Sequence, residues 1–360
     1  MSEAAREPFG RLLARSLSGA WRGEPSAVDF SQVELQKVTP HLLRSGAAPL
    51  GWRRVRDSVL QESAAALSLR QAYRLTTLRS MISDSRIKTV FQLLRSADVE
   101  PILIKGWGVA QYYPERGLRP YGDIDVCVRA DQYRTAASAL AGLPRRQYRV
   151  DLHQGFEKFG DENFEELFSR SQLERLDEVD VRVPSREDHF RLVCFHLLRE
   201  GAWRPLWLCD VAAMLEARQA DFDWKLCLNS KRGTQAVACA VALAHSLFEA
   251  NTSDIPDAAR LKQFPDWLIR TVMSEWDSLV PSMSHRHSRP MLMHLRRPTR
   301  LLQALRHRWP NPIEATITMK GRINEWPRLP LQIGNCLYRT KAFLLRLPSE
   351  WHDQLSHLCL

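Results

Sequence analysis

Apolar positions recur near the helical period through residues 30–97, marked by Leu60, Leu67, Tyr73, Leu78, Met81 and Ile82, and no Gly or Pro interrupts 53–100. The spacing predicts a helical lead-in with a break at Ser83-Asp84-Ser85. The pattern then changes. Pro101 opens a short apolar run, Ile102-Leu103-Ile104, which reads as a buried strand. Lys105-Gly106-Trp107-Gly108 ends it, and Val109–Tyr113 can start a short helix. Residues 123–129 alternate, with Ile124, Val126 and Val128 on one side and Asp123, Asp125 and Cys127 on the other. Asp131 is placed to cap a helix over 132–141, which Gly142 and Pro144 close. Gln147–His153 alternates again, and Val179–Val183 reads as a further strand.

From Pro184 the helical period returns. Ser185-Arg186-Glu187-Asp188 has the form of a capping box, and helices are expected over 206–218, 223–232 and 235–250, with Gly233 and Pro256 as punctuation. Pro310-Asn311-Pro312 and Pro327-Arg328-Leu329-Pro330 read as loops. The pattern gives an α+β fold: a small mixed β-sheet with helices on one face, between flanking helical regions. The expected divisions are 1–97 helical, 98–184 the α+β core, 185–256 helical, and 257–360 a helical and loop-rich basic region.

The carboxylates carry the chemistry. Asp123 and Asp125 leave the same side of a strand whose other side is apolar. Two anions held that close call for a cation, and a hard divalent ion with oxygen ligands, such as Mg²⁺, suits them. If the next strand is a neighbour, Asp151 joins them. A lone D-x-D is more often a solvated face, so the argument rests on all three. His153 follows on the same face, either beside the metal or hydrogen-bonded at the sheet edge. Gly106 and Gly108 allow close approach of a phosphate to the backbone, and Lys105 and Arg119 supply positive charge. By themselves the glycines mark only a tight turn.

Composition adds little. The net charge of +10 points to an anionic partner, but arginines such as Arg286, Arg289, Arg296, Arg297, Arg300, Arg306 and Arg308 are scattered and suit a solvated basic face. Seven cysteines without a C-x-x-C fit reduced, buried thiols of a cytoplasmic protein. The first residues do not form a secretory signal, and no stretch is apolar enough to span a membrane.

Ile104-Lys105-Gly106, Tyr113, Arg119, Asp123-Ile124-Asp125-Val126 and Val150-Asp151-Leu152-His153 together resemble the polymerase-β-type nucleotidyltransferase superfamily. More narrowly, they resemble its bacterial branch of uncharacterised nucleotidyltransferase family proteins. His196, Trp203 and Asp210 match that branch's downstream helical pattern, and the likeness covers about residues 30–250. Read from the residues alone, His196 and Asp210 form a buried pair between helices. The resemblance implies that Asp123 and Asp125 hold Mg²⁺, two ions being expected, with Asp151 as third ligand or general base. It places Gly106 at the nucleotide-phosphate turn with Lys105 and Arg119 as phosphate contacts. The implied reaction moves a nucleoside monophosphate, expected to be AMP, from a nucleoside triphosphate to an acceptor hydroxyl and releases pyrophosphate. The acceptor (small molecule, peptide or protein) is not named by the sequence. The chain departs from the superfamily in having Trp107 after Gly106, where Gly or Ser is usual, and in a longer gap to Asp123. Two rival readings follow: an inactive nucleotide-binding module, and a nucleic-acid-binding protein using its basic C-terminal third.

Overall fold

The computed structural model describes residues 7–155, 163–260, 265–278, 309–323 and 327–341. The chain divides into two compact units, residues 1–197 with 204–264, and residues 198–203 with 265–360. The arginines of 286–308, Trp326 and Cys359 lie outside the described residues.

The first unit opens with four helices, α1 (Phe9–Leu17), α2 (Gln32–Ser45), α3 (Ala48–Val55) and α4 (Ala64–Ser96). Ser31 and Glu34 form a reciprocal capping box at the start of α2, and Gly46 ends it in the left-handed conformation. α4 runs unbroken for 33 residues, so the expected break at Ser83-Asp84-Ser85 is absent. Its polar residues turn inward: Ser83 and Asp84 are buried and bond to a neighbouring loop. Several of the apolar residues that predicted the helix are exposed, Leu78, Met81 and Ile82 among them. The buried stripe is instead Ile87, Val90, Phe91 and Leu94.

β1 (Ile102–Leu103), β2 (Ile124–Val128) and β3 (Val150–Gln154) form a sheet in that order. β1 pairs antiparallel with β2, and β2 pairs parallel with β3 in the register Asp125↔Asp151 and Cys127↔His153. The sheet is mixed, as expected. A hairpin, β4 (Gln172–Leu176) and β5 (Val179–Val183), makes a second small sheet. β4 leaves no apolar signal because its first four residues are exposed. Between these strands lie α5 (Gly106–Ala110), α6 (Tyr133–Leu140), α7 (Arg145–Tyr148) and α8 (Phe164–Arg170). α5 starts three residues earlier than the pattern suggests. No side chain caps α6, so Asp131 does not act as predicted. Residues 145–148 are helical, and the strand expected from Gln147 begins only at Val150, after a left-handed turn at Arg149.

Helices also cover both sheet faces, not one. Ile124, Val126 and Val128 pack with Phe91 and Leu94 of α4, Ala136 of α6 and Val181 of β5. On the opposite face Ile102, Ile104 and Cys127 meet Leu167 of α8 and Leu192 of α9 (Arg186–Arg199). Ser185 Oγ accepts from the Asp188 amide at the head of α9. α10 (Pro205–Glu216), α11 (Trp224–Cys227) and α12 (Lys231–Phe248) follow. Gly233 lies inside α12, where its amide donates to the N-cap Ser230. The five cysteines at 127, 194, 209, 227 and 239 are buried.

The second unit contains α13 (Asp266–Asp277) and α14 (Pro312–Thr318), with residues 329–341 also helical. Both proline motifs mark helix starts, because a proline in the first turn has no helical hydrogen bond to lose. Asn311 caps α14 by accepting from the Ile313 amide. No helix among the described residues is long and apolar enough to cross a membrane.

Candidate active site

β2 and β3 build the site through their register. Parallel pairing puts Asp125 opposite Asp151 and Cys127 opposite His153, so both carboxylates and the imidazole share one face. His153 Nε2 lies 3.4 Å from Asp125 Oδ1 and 3.3 Å from Asp151 Oδ2. Its buried ring therefore bridges the two acids. One ligand atom from each of Asp125, Asp151 and His153 falls within 4.8 Å of the others. On a six-coordinate ion with bonds of about 2.1 Å, ligands stand roughly 3–4 Å apart. The donor set therefore suits one divalent cation after a small adjustment of side chains.

Asp123 is placed differently. Continuing the register by two residues sets it opposite Arg149, and the two side chains form an ion pair of 2.8 Å. Burial raises the pKa of Asp123, the charges of Asp125 and Asp151 add to the rise, and Arg149 and Arg204 oppose it. Asp125 behaves in the opposite way. Burial pushes its pKa up, but the His153 hydrogen bond and the charges of Lys105 and Arg119 outweigh it, and the carboxyl is held low. The site thus lowers the pKa of Asp125 and, mainly through burial, raises that of Asp123.

The glycine turn is tightly made. Lys105 has φ 59° and ψ −149°, a region that side-chain-bearing residues rarely occupy at a cost of about 1–3 kcal/mol. Gly106 follows at φ 47°. The turn brings Lys105 Nζ to 3.9 Å from Asp125 Oδ1. Gly108 is needed for space: a Cβ there would stand 2.8 Å from Cε1 of buried His189. Trp107 points into the core beside Leu103 and Phe91.

Arg119 acts on Asp125 through its charge, but its hydrogen bonds go elsewhere. Its guanidinium grips Asp210 with Nε at 3.2 Å and Nη2 at 2.9 Å, and Tyr113 Oη donates to the same carboxylate at 2.7 Å. Asp210 therefore pairs with Arg119 and Tyr113, not with His196, which lies edge-on to the Trp207 ring at 4.7 Å. The sequence reading also missed how Asp123 is carried. Tyr121 Oη donates to Asp84 at 2.6 Å, and Ser83 Oγ donates to the Tyr121 carbonyl at 3.3 Å. α4 thus anchors the segment two residues before Asp123. The Arg149 pairing was within reach of register arithmetic, since 125 opposite 151 implies 123 opposite 149.

A family model described as uncharacterised nucleotidyltransferase matches residues 31–249. The chain belongs to this family. The match runs from the head of α2 to the end of α12 and contains every carboxylate named above. Its members are transferases of phosphorus-containing groups with a nucleotide as substrate. No curated protein and no solved structure gives a significant match.

Proposed function

We propose that the protein transfers a nucleoside monophosphate, AMP in the first instance, from a nucleoside triphosphate to a hydroxyl of an acceptor. The observation that carries this reading is the parallel register that sets Asp125 beside Asp151 with His153 between them. Asp125, Asp151 and His153 would hold the first Mg²⁺ ion, with Asp123 released from Arg149 to help hold a second. Such ions, when bound, neutralise charge on the phosphates and on the entering and leaving oxygens. Asp151, whose side chain is 47% exposed against 18% for Asp125, is the acid more open to an incoming acceptor. Its Oδ takes the proton of the acceptor hydroxyl as that oxygen bonds to the α-phosphorus. The bond from the α-phosphorus to the bridging oxygen breaks, and pyrophosphate leaves. Lys105 meets the negative charge of the phosphates, and Gly106 lets the backbone of the turn approach them. Trp107, turned into the core, offers no hydroxyl to the phosphate, so contacts at this turn come from the main chain.

Incubation of the protein with Mg²⁺ and labelled ATP, GTP, CTP or UTP in a lysate of the source organism tests the reading. Label is expected to pass to one acceptor class (small molecule, peptide or protein), with stoichiometric pyrophosphate. Asp125→Asn should reduce transfer at least about a hundredfold, in line with removal of a group that stabilises transition-state charge. Nucleotide binding without pyrophosphate release would instead identify an inactive module, and near-normal transfer by Asp125→Asn would remove the metal assignment.

A further inference from the structure

Transfer from a triphosphate needs a cation for the phosphate chain, and the residue that the sequence offers, Arg119, is already engaged. Three of its donors are satisfied, two by Asp210 and one by the Pro120 carbonyl at 3.0 Å. Releasing it would strand a buried carboxylate. A second arginine stands close by. Arg204, immediately before α10, is partly buried, and its Nε donates to the Ser45 carbonyl at the end of α2. Its guanidinium carbon lies 5.6 Å from the centre of the Trp207 ring, within cation–π range. The seat is fitted closely: a Cβ at Gly46 would stand 2.4 Å from Arg204 Nη2.

Other buried arginines of the chain have a carboxylate within ion-pair distance, whereas Arg204 feels Asp210 and Asp123 only at longer range. Buried Arg53 meets Glu115, Arg54 meets Asp29, Arg119 meets Asp210 and Arg191 meets Asp188. Among the described residues Arg204 forms no ion pair. Burial, reinforced by repulsion from Arg119, lowers its pKa to about 10, and its charge is felt at Asp123. A partly buried cation without an ion-pair partner is completed by an anion.

We propose that Arg204 is the anion-binding residue of this site and takes the phosphate chain of the nucleotide on its terminal nitrogens. Nε stays on Ser45 throughout, so the group is held in place before the ligand arrives. This assignment rests on the nucleotidyl-transfer reading for the identity of the anion.

The test uses the full chain and inorganic tripolyphosphate without metal, followed by titration calorimetry at fixed ionic strength. Arg204→Gln keeps an N–H for Ser45 and should weaken binding about tenfold or more, the loss expected for a hydrogen bond to a charged group. Arg204→Lys should fall between. Because either variant disturbs the end of α2, the wild-type protein is also treated with phenylglyoxal and mapped by mass spectrometry. Tripolyphosphate should slow modification of Arg204 selectively. Unchanged binding in Arg204→Gln, or unchanged modification at saturation, overturns the proposal and leaves nucleotidyl transfer standing if label still moves. Protection of Arg204 without any transfer keeps the anion site and removes the enzymatic reading. Failure of the wild-type chain to bind tripolyphosphate or any nucleoside triphosphate removes both.

Discussion

His189 is buried between Gly108, Val183 and the edge of the Tyr112 ring, and the positive charge of Arg119 is close enough to act on it. Burial, reinforced by Arg119, lowers its pKa to about 3. The folded ring is therefore neutral through the physiological range, while the unfolded ring takes a proton near pH 6.5. Above pH 6.5 neither state is protonated and the group has no effect on stability. As pH falls from 6.5 towards 3 the unfolded chain binds a proton that the folded chain refuses, and stability is lost. The loss amounts to roughly 2 kcal/mol by pH 5. Urea unfolding at pH 7 and pH 5 should show that difference, and His189→Gln should flatten it. An unchanged pH dependence in the variant would assign the effect to other groups. This residue was silent in the sequence, because nothing in Asp188-His189-Phe190 says that Gly108 leaves room for a ring.

The long helix α4 and the segment between α5 and β2 share the task of placing Asp123. α4 holds Tyr121 through Ser83 and Asp84, and α10 holds Arg119 and Tyr113 through Asp210. Desolvation lowers the pKa of Arg119, but the charge of Asp210 more than restores it. Removing one member of such a buried pair typically costs about 3–5 kcal/mol, because the survivor is left charged and out of water. Asp210→Asn should lower stability by that amount in chemical denaturation. Tyr113→Phe, which leaves the ion pair intact, should cost only about 1–2 kcal/mol. Equal losses would show that the ion pair is not the main tie. The alternation of β2 made its two faces legible from sequence, and the glycine turn and Asp151 were legible for similar reasons. Ser83-Asp84-Ser85 was misread because polar residues within a helix look like a break until a partner is found for them. β4 was missed because its first four residues are exposed and only Leu176 is buried, which leaves no period to detect. The Asp210 partner of Arg119 was not legible, because the charge of an arginine can be read from sequence and the fold around it cannot.

At the scale of the whole molecule, the net charge of +10 works against binding any further cation non-specifically. A specific metal site is therefore separable from general ionic effects. The folded first unit gathers Asp125, Asp151 and His153 within 4.8 Å, and the unfolded chain does not. An ion that binds only the folded form adds RT ln(1 + [L]/Kd), about 2.7 kcal/mol at a hundredfold excess over Kd. Mg²⁺ should consequently raise the melting temperature by several degrees above a NaCl control of equal ionic strength, and EDTA should reverse the rise. Asp125→Asn should abolish the Mg²⁺ effect, since it removes the more buried carboxylate of the cluster. Asp123→Asn should leave part of it, because Asp123 stands apart, paired with Arg149. If Asp125→Asn kept the full Mg²⁺ shift, the ion would be bound elsewhere. The carboxylates opposed across β2 and β3 would then be a charged sheet face anchored by His153, and the transfer chemistry would lose its metal.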